Sequence, residues 1–96
     1  MDVFLNIADC PEPIEDEELL SATIPGGNGI QTSGKVECAI RCNRNPSCGA
    51  WNLEVSSNMC WLKTAASPME SKEGWLYARR CNENINNESE FSYHRQ

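Results

Sequence analysis

Histidine is almost absent from this sequence: His94, near the C-terminal end, is the single copy in 96 residues. A Ser-His-Asp or Cys-His site needs an imidazole held in place by the fold. His94 sits among the polar residues of a tail, so nucleophilic catalysis of that kind is not expected. A zinc-finger signature is also missing, because Cys10, Cys38, Cys42, Cys48, Cys60 and Cys81 contain no C-x2-C pair. No apolar run approaches the roughly 18 residues needed to span a bilayer. The opening MDVFL lacks the basic start and long apolar stretch of a signal peptide. Basic residues are scarce: eight Lys and Arg stand against 14 Asp and Glu, for a net charge of −6. Neither nucleic-acid phosphates nor an anionic membrane would find a basic patch, so no nucleic-acid partner and no membrane insertion are expected. Aromatic residues make up only 7% and mean hydropathy is −0.54. One small domain with a marginal core is the most such a chain can build.

Six cysteines are what the sequence has instead. An even count in so short a chain is the usage of secreted, oxidised domains, where disulfides supplement a small core. All six can pair, which leaves no thiol for a nucleophile. Carboxylates are plentiful, but nothing in the sequence sets two of them across a cleft. No enzyme activity, cofactor or metal site is therefore expected. In an oxidising compartment the chain reads as a mature fragment or an excised domain.

Along the chain, residues 11–20 (PEPIEDEELL) are an acidic segment opened by two prolines, which disfavour helix before Ile14 and suit a solvated loop or ribbon. Residues 25–29 (PGGNG) are a turn. A helix is predicted over residues 33–44: Ser33 and Gly34 suit its start, and Val36, Ala39 and Ile40 share a face beside Cys38 and Cys42. Glu37 and Arg41 lie on the opposite side, and Asn45-Pro46 ends it. Between residues 48 and 55 the period changes to two, with Trp51, Leu53 and Val55 on one side and Ala50, Asn52 and Glu54 on the other, as in a half-buried strand. Ser56-Ser57-Asn58 is a polar turn and residues 59–63 the returning strand. Residues 64–73 read as a loop, and 74–81 (GWLYARRC) as a further strand. The rest is a polar, Asn-rich tail or linker.

Six cysteines allow 15 connectivities, which sequence alone does not separate. Geometry narrows the choice. Cys42 ends the helix and Cys48 opens the next strand across a proline turn, so a short bridge there is natural. Cys38, one turn earlier on the same face, meets the strand that carries Cys60. Cys10 and Cys81 remain near the two ends of the ordered region. Closing about 70 residues, the Cys10–Cys81 bridge is worth roughly 4 kcal/mol by loop-closure entropy.

The run CAIRC-x5-C from Cys38 to Cys48, then Ala50-Trp51, then CWLK from Cys60 to Lys63, resembles the PAN/apple family, and the outer Cys10 and Cys81 complete its six-cysteine form. The resemblance spans residues 8–82, leaving 83–96 as a polar tail or inter-domain linker. It implies an α+β fold, a twisted antiparallel sheet of about five strands cradling one α-helix, with the same nested disulfides. It also implies a secreted binding module without chemistry of its own. The Asn- and Ser-rich composition is closer to the apple modules of apicomplexan microneme adhesins than to those of blood proteases. Host-cell attachment is then the expected role, through a host protein or a glycan, in tandem with sister domains. The alternatives are a zymogen-type apple domain binding proteins and a spacer repeat with no ligand.

Aromatic and basic residues supply the candidate contacts. Trp51 alternates with Leu53 and Val55 and is read as core. Trp61 shares a strand face with Lys63, and Trp75 shares one with Tyr77 and Arg79. These five either form a recognition cluster or lie on a sheet face covered by the acidic ribbon. For the basic residues Lys63, Lys72, Arg79 and Arg80, pairing with the acids of residues 9–18 is the preferred expectation. Asn87-Glu88-Ser89 is a glycosylation sequon in the tail.

Overall fold

Residues 10–81 are described by a computed structural model of the chain. Their elements in chain order are β1 (Ile14–Leu19), β2 (Ile30–Gln31), α1 (Lys35–Arg44), β3 (Ala50–Glu54), β4 (Met59–Lys63) and β5 (Met69–Arg79). The strands form one antiparallel sheet in the order β1-β5-β3-β4-β2, and α1 packs across β3 and β4. One helix, five strands and three disulfides make this the α+β architecture expected of the sequence. The tail at 83–96, with its sequon and His94, lies outside the described residues, as do the expected domain limits at 8 and 82.

Helix α1 starts two residues later than its sequence pattern suggests. Gly34 stands at its N-cap with φ 143° and no side-chain cap. Glu37 does the work of a cap from inside the helix: its carboxylate accepts the Ser33 N–H at 2.8 Å and the Arg41 Nε–H at 3.1 Å. The Ser33 backbone bond, and after it Arg41, hold the Glu37 carboxyl below its ordinary pKa. At the other end Arg80 is the cap. Its Nη1 donates to the carbonyls of Cys42, Asn45 and Cys48 at 3.1, 2.8 and 3.1 Å, and its Nη2 to that of Asn43 at 2.9 Å. One guanidinium thus serves carbonyls that the end of a helix leaves without partners. Replacing it, as in Arg80→Met, is expected to lower unfolding free energy by about 2 kcal/mol, the scale of charge-assisted hydrogen bonds. Arg80→Lys should recover only part of this, because a single ammonium cannot reproduce the planar fork. Urea denaturation of the two variants checks both.

Cys38–Cys60 joins α1 to β4, Cys42–Cys48 closes the turn after α1, and Cys10–Cys81 ties the two ends of the described segment. No cysteine is free. The main core lies between α1 and the sheet and contains Ile24, Ala39, Trp51, Leu53, Leu62, Ala78 and the cysteine sulfurs. Gly49 lets the chain pass close by: a Cβ there would run into the Thr64 carbonyl oxygen.

Three sequence expectations change. Strand β3 is buried on both faces rather than one, because it is the central strand with α1 on one side and, on the other, Leu19 and the Glu17 backbone of β1. Val55 falls beyond the strand and is 49% exposed. Strand β5 begins at Met69, not Gly74, so residues 69–73 are strand rather than loop. They pair with the acidic segment, which is itself the edge strand β1: Glu17, Glu18 and Leu19 lie opposite Ser71, Glu70 and Met69. The ladder breaks at Asp16 (φ 63°) and Gly74 (φ 91°), where Asp16 Oδ1 accepts the Gly74 N–H at 3.1 Å, and resumes at Glu15 opposite Leu76. Beyond the break Leu19 packs on Ala50 and Tyr77, and Asn52 bonds the Leu19 N–H and the Glu17 carbonyl, so this part of the bent β1–β5 ribbon lies over the sheet face opposite α1.

Candidate recognition cleft

The bent ribbon makes the two sheet faces unequal. On the side away from α1 it covers half of the sheet, packing Leu19 against Ala50, Ala66 and Tyr77 in a second small core. The other half stays open. Alternation along three neighbouring strands brings Asn52 and Glu54 of β3, Trp61 and Lys63 of β4, and Trp75 of β5 onto this face. The register sets Asn52 opposite Trp61 and Glu54 opposite Trp75, so the two tryptophans meet diagonally across β3. Their ring centroids are 5.1 Å apart at a 45° tilt, within the range of favourable aromatic pairs. Both rings are half-buried.

Around this pair runs a cleft of about 320 Å³ lined by Glu18, Thr23, Asn28, Asn52, Glu54, Trp61, Lys63 and Trp75. Its volume is near the lower bound of roughly 300 Å³ for small-ligand sites. The lining is held in place. Trp61 Nε1 donates to Asn28 Oδ1 at 3.0 Å, and Lys63 Nζ donates to the Ser21 carbonyl at 3.2 Å and to Thr23 Oγ1 at 3.1 Å. Glu54 Oε1 accepts the Ser57 hydroxyl at 2.7 Å. At the floor Asn52, 1% exposed, accepts the Leu19 N–H at 2.8 Å and donates to the carbonyls of Leu76 and Glu17 at 2.8 and 3.3 Å. Lys72 reaches over the rim, its Nζ 5.4 Å from the centroid of a Trp75 ring and 3.6 Å from Glu18 Oε1.

Of the five residues singled out in the sequence, Trp61, Lys63 and Trp75 come together here. Tyr77 does not: it is 5% exposed, under the ribbon. Arg79 lines a separate pocket of about 130 Å³ beside the Cys10–Cys81 bridge, with Trp51, Ala39 and Lys35. The expected pairing of acidic ribbon with basic sheet is realised by Lys72 and Glu18. Lys63 and Arg80 are occupied by oxygens of the backbone and of Thr23 instead, because each lies beside a loop or helix end that needs a donor. Asn52 and Glu54 share the face by strand parity, a signal present in the sequence. Thr23 and Asn28 come from a loop that carries no periodic signal.

Among the described residues, no helix is long and apolar enough to cross a membrane, and no group of three or more His, Cys, Asp or Glu side chains could hold a metal ion. No protein-family model matches the sequence, and no curated protein matches it.

Proposed function

We propose that this chain is a non-catalytic recognition module of the PAN/apple type, working in an oxidising extracellular setting and binding a protein partner through the Trp61–Trp75 cleft. The observation that carries the reading is the solvent-facing tryptophan pair at a charged, anchored rim. Tryptophan is the residue most enriched where binding energy concentrates, and a chain this poor in aromatics places two of its three tryptophans on the same open patch. The disulfide framework supports the oxidising setting. The wider role follows the family resemblance: one repeat of a secreted parasite adhesin, arrayed with sister domains so that weak contacts multiply into attachment to a host cell.

A glycan is the second reading. The cleft is concave, with an aromatic wall and polar neighbours, and a sugar ring stacks on such a wall through its C–H face. Cell binding by the isolated domain, run beside a glycan array, separates the readings. Trp61→Ala and Trp75→Ala are each expected to lower binding at least tenfold, the scale of a hot-spot truncation. Because both rings are half-buried, the unfolding midpoint of each variant is measured beside its binding so that loss of fold and loss of contact are told apart. Competition by a monosaccharide such as galactose would favour the glycan. Unaltered binding by both variants would reject the cleft, and no binding by the parent domain would leave it a spacer.

A further inference from the structure

At the rim of the cleft a cation of the chain's own already lies against Trp75 and Glu18. Lys72 lies on an exposed stretch of β5, yet its ammonium faces Trp75 at 5.4 Å and Glu18 at 3.6 Å. A ring face and a carboxylate on one positive group are the two attractions that select cations at a protein surface. Glu54 adds a second carboxylate to the lining. Lys63, the opposing charge within the cleft, is tied by Ser21 and Thr23 at the loop side. Glu15, Asp16 and Glu17 precede Glu18 on β1, and the chain carries −6 overall. Such a field raises the local concentration of cations. A neutral sugar would use the rings and leave this charge arrangement without a role.

Resting on the cleft as the recognition surface, we propose that it receives a basic side chain, the ammonium of a lysine or the guanidinium of an arginine, from a protein partner, and that Lys72 is the group it displaces. The aliphatic stem of the incoming residue packs along Trp61 and Trp75 while its head meets Glu18 and Glu54. Arginine gains further by stacking its plane on a ring. Lys72 is therefore a competitor built into the fold, and removing it opens the site.

The test titrates the full ¹⁵N-labelled chain with Nα-acetyl-lysine amide and Nα-acetyl-arginine amide. The uncharged Nα-acetyl-norleucine amide, choline and galactose serve as comparisons. The indole N–H signals of Trp61 and Trp75 are expected to move with the lysine and arginine probes and to stay with norleucine, the response shrinking as salt is raised. Lys72→Ala should tighten both basic probes by roughly three- to tenfold, and Glu18→Gln should weaken them by a similar factor. Equal shifts from norleucine, no effect of Lys72→Ala, or a stronger response to choline or galactose would each overturn the cationic assignment. The two levels fail separately. If Trp61→Ala and Trp75→Ala abolish cell binding while the basic probes do nothing, the cleft stands and its preference for a basic side chain falls.

Discussion

Replacing Cys38 and Cys60 together by alanine is expected to lower unfolding free energy by about 4 to 5 kcal/mol, the largest loss of any bridge. The two residues are 22 apart in sequence, which sets a closure entropy worth about 3 kcal/mol. Both are fully buried, so removing the sulfurs also leaves a void between α1 and β4, adding about 1 to 2 kcal/mol. Small domains have only about 5 to 15 kcal/mol in total, and this one has a thin core. Cys10–Cys81, 71 residues apart, is worth about 4 kcal/mol by the same entropy but lies at the edge of the core. Cys42–Cys48 spans six residues, which gives about 2 kcal/mol, and Arg80 grips the same turn independently. Urea midpoints of the three double-alanine variants, without reductant, should therefore rank the bridges in that order. Cys42 and Cys48 are as buried as Cys38 and Cys60, so if Cys42→Ala/Cys48→Ala proved as costly as Cys38→Ala/Cys60→Ala, loop length would not be setting the stability.

The parts of the fold that bury one face were the parts written in the sequence. Residues 59–63 alternate strictly, Cys60 and Leu62 inward and Met59, Trp61 and Lys63 outward, and β4 occupies those positions. Helix α1 is similarly plain, because Cys38, Ala39 and Cys42 mark the buried side. Strand β3 misleads by being central: Asn52 looks like a solvent-facing residue and is buried because the ribbon brings it three backbone partners. The outer half of the β1–β5 ribbon misleads in the opposite sense. Glu70, Ser71, Lys72 and Glu73 are all exposed and carry no alternation, so only the pairing of Glu70 and Ser71 with Glu18 and Glu17 marks the segment as strand. Charge suits them there, since β1 is an edge that acidic side chains protect against further pairing. The cleft divides along the same line. Trp61, Lys63 and Trp75 follow from parity on their strands, as do Asn52 and Glu54. Thr23, Asn28 and Lys72 depend on where a loop and a bent ribbon come to rest. Tyr77 shares parity with Trp75 but lies where the ribbon folds over, and strand alternation has no means of expressing that cover.

Asn52 is where fold and cleft depend on one another, and it carries the second large effect. Asn52→Asp keeps the shape and the acceptance from Leu19 N–H, but an ionised carboxylate cannot donate to the Leu76 and Glu17 carbonyls and faces both with a negative charge. At neutral pH the variant is expected to lose about 3 to 4 kcal/mol, from two abandoned acceptors and a buried charge. The introduced carboxyl has its folded-state pKa raised above the unfolded value of about 3.9 by that burial. Such a group favours folding below its unfolded pKa and loses that contribution as pH rises through the folded one. The gap between parent and variant should therefore be smaller near pH 3 than at pH 7. Asn52→Leu strands those two carbonyls and the Leu19 N–H as well, but introduces no charge, so its deficit should be of similar size and nearly independent of pH. Denaturation curves of the two variants at both pH values distinguish a lost donor from an added charge. Since Asn52 anchors Glu17 and Leu19 on either side of Glu18, both variants should also loosen the acidic wall of the cleft and weaken the Lys72–Glu18 contact. A loss of stability with an unchanged Trp61–Trp75 site would mean that the ribbon is held over the sheet by Leu19 packing alone.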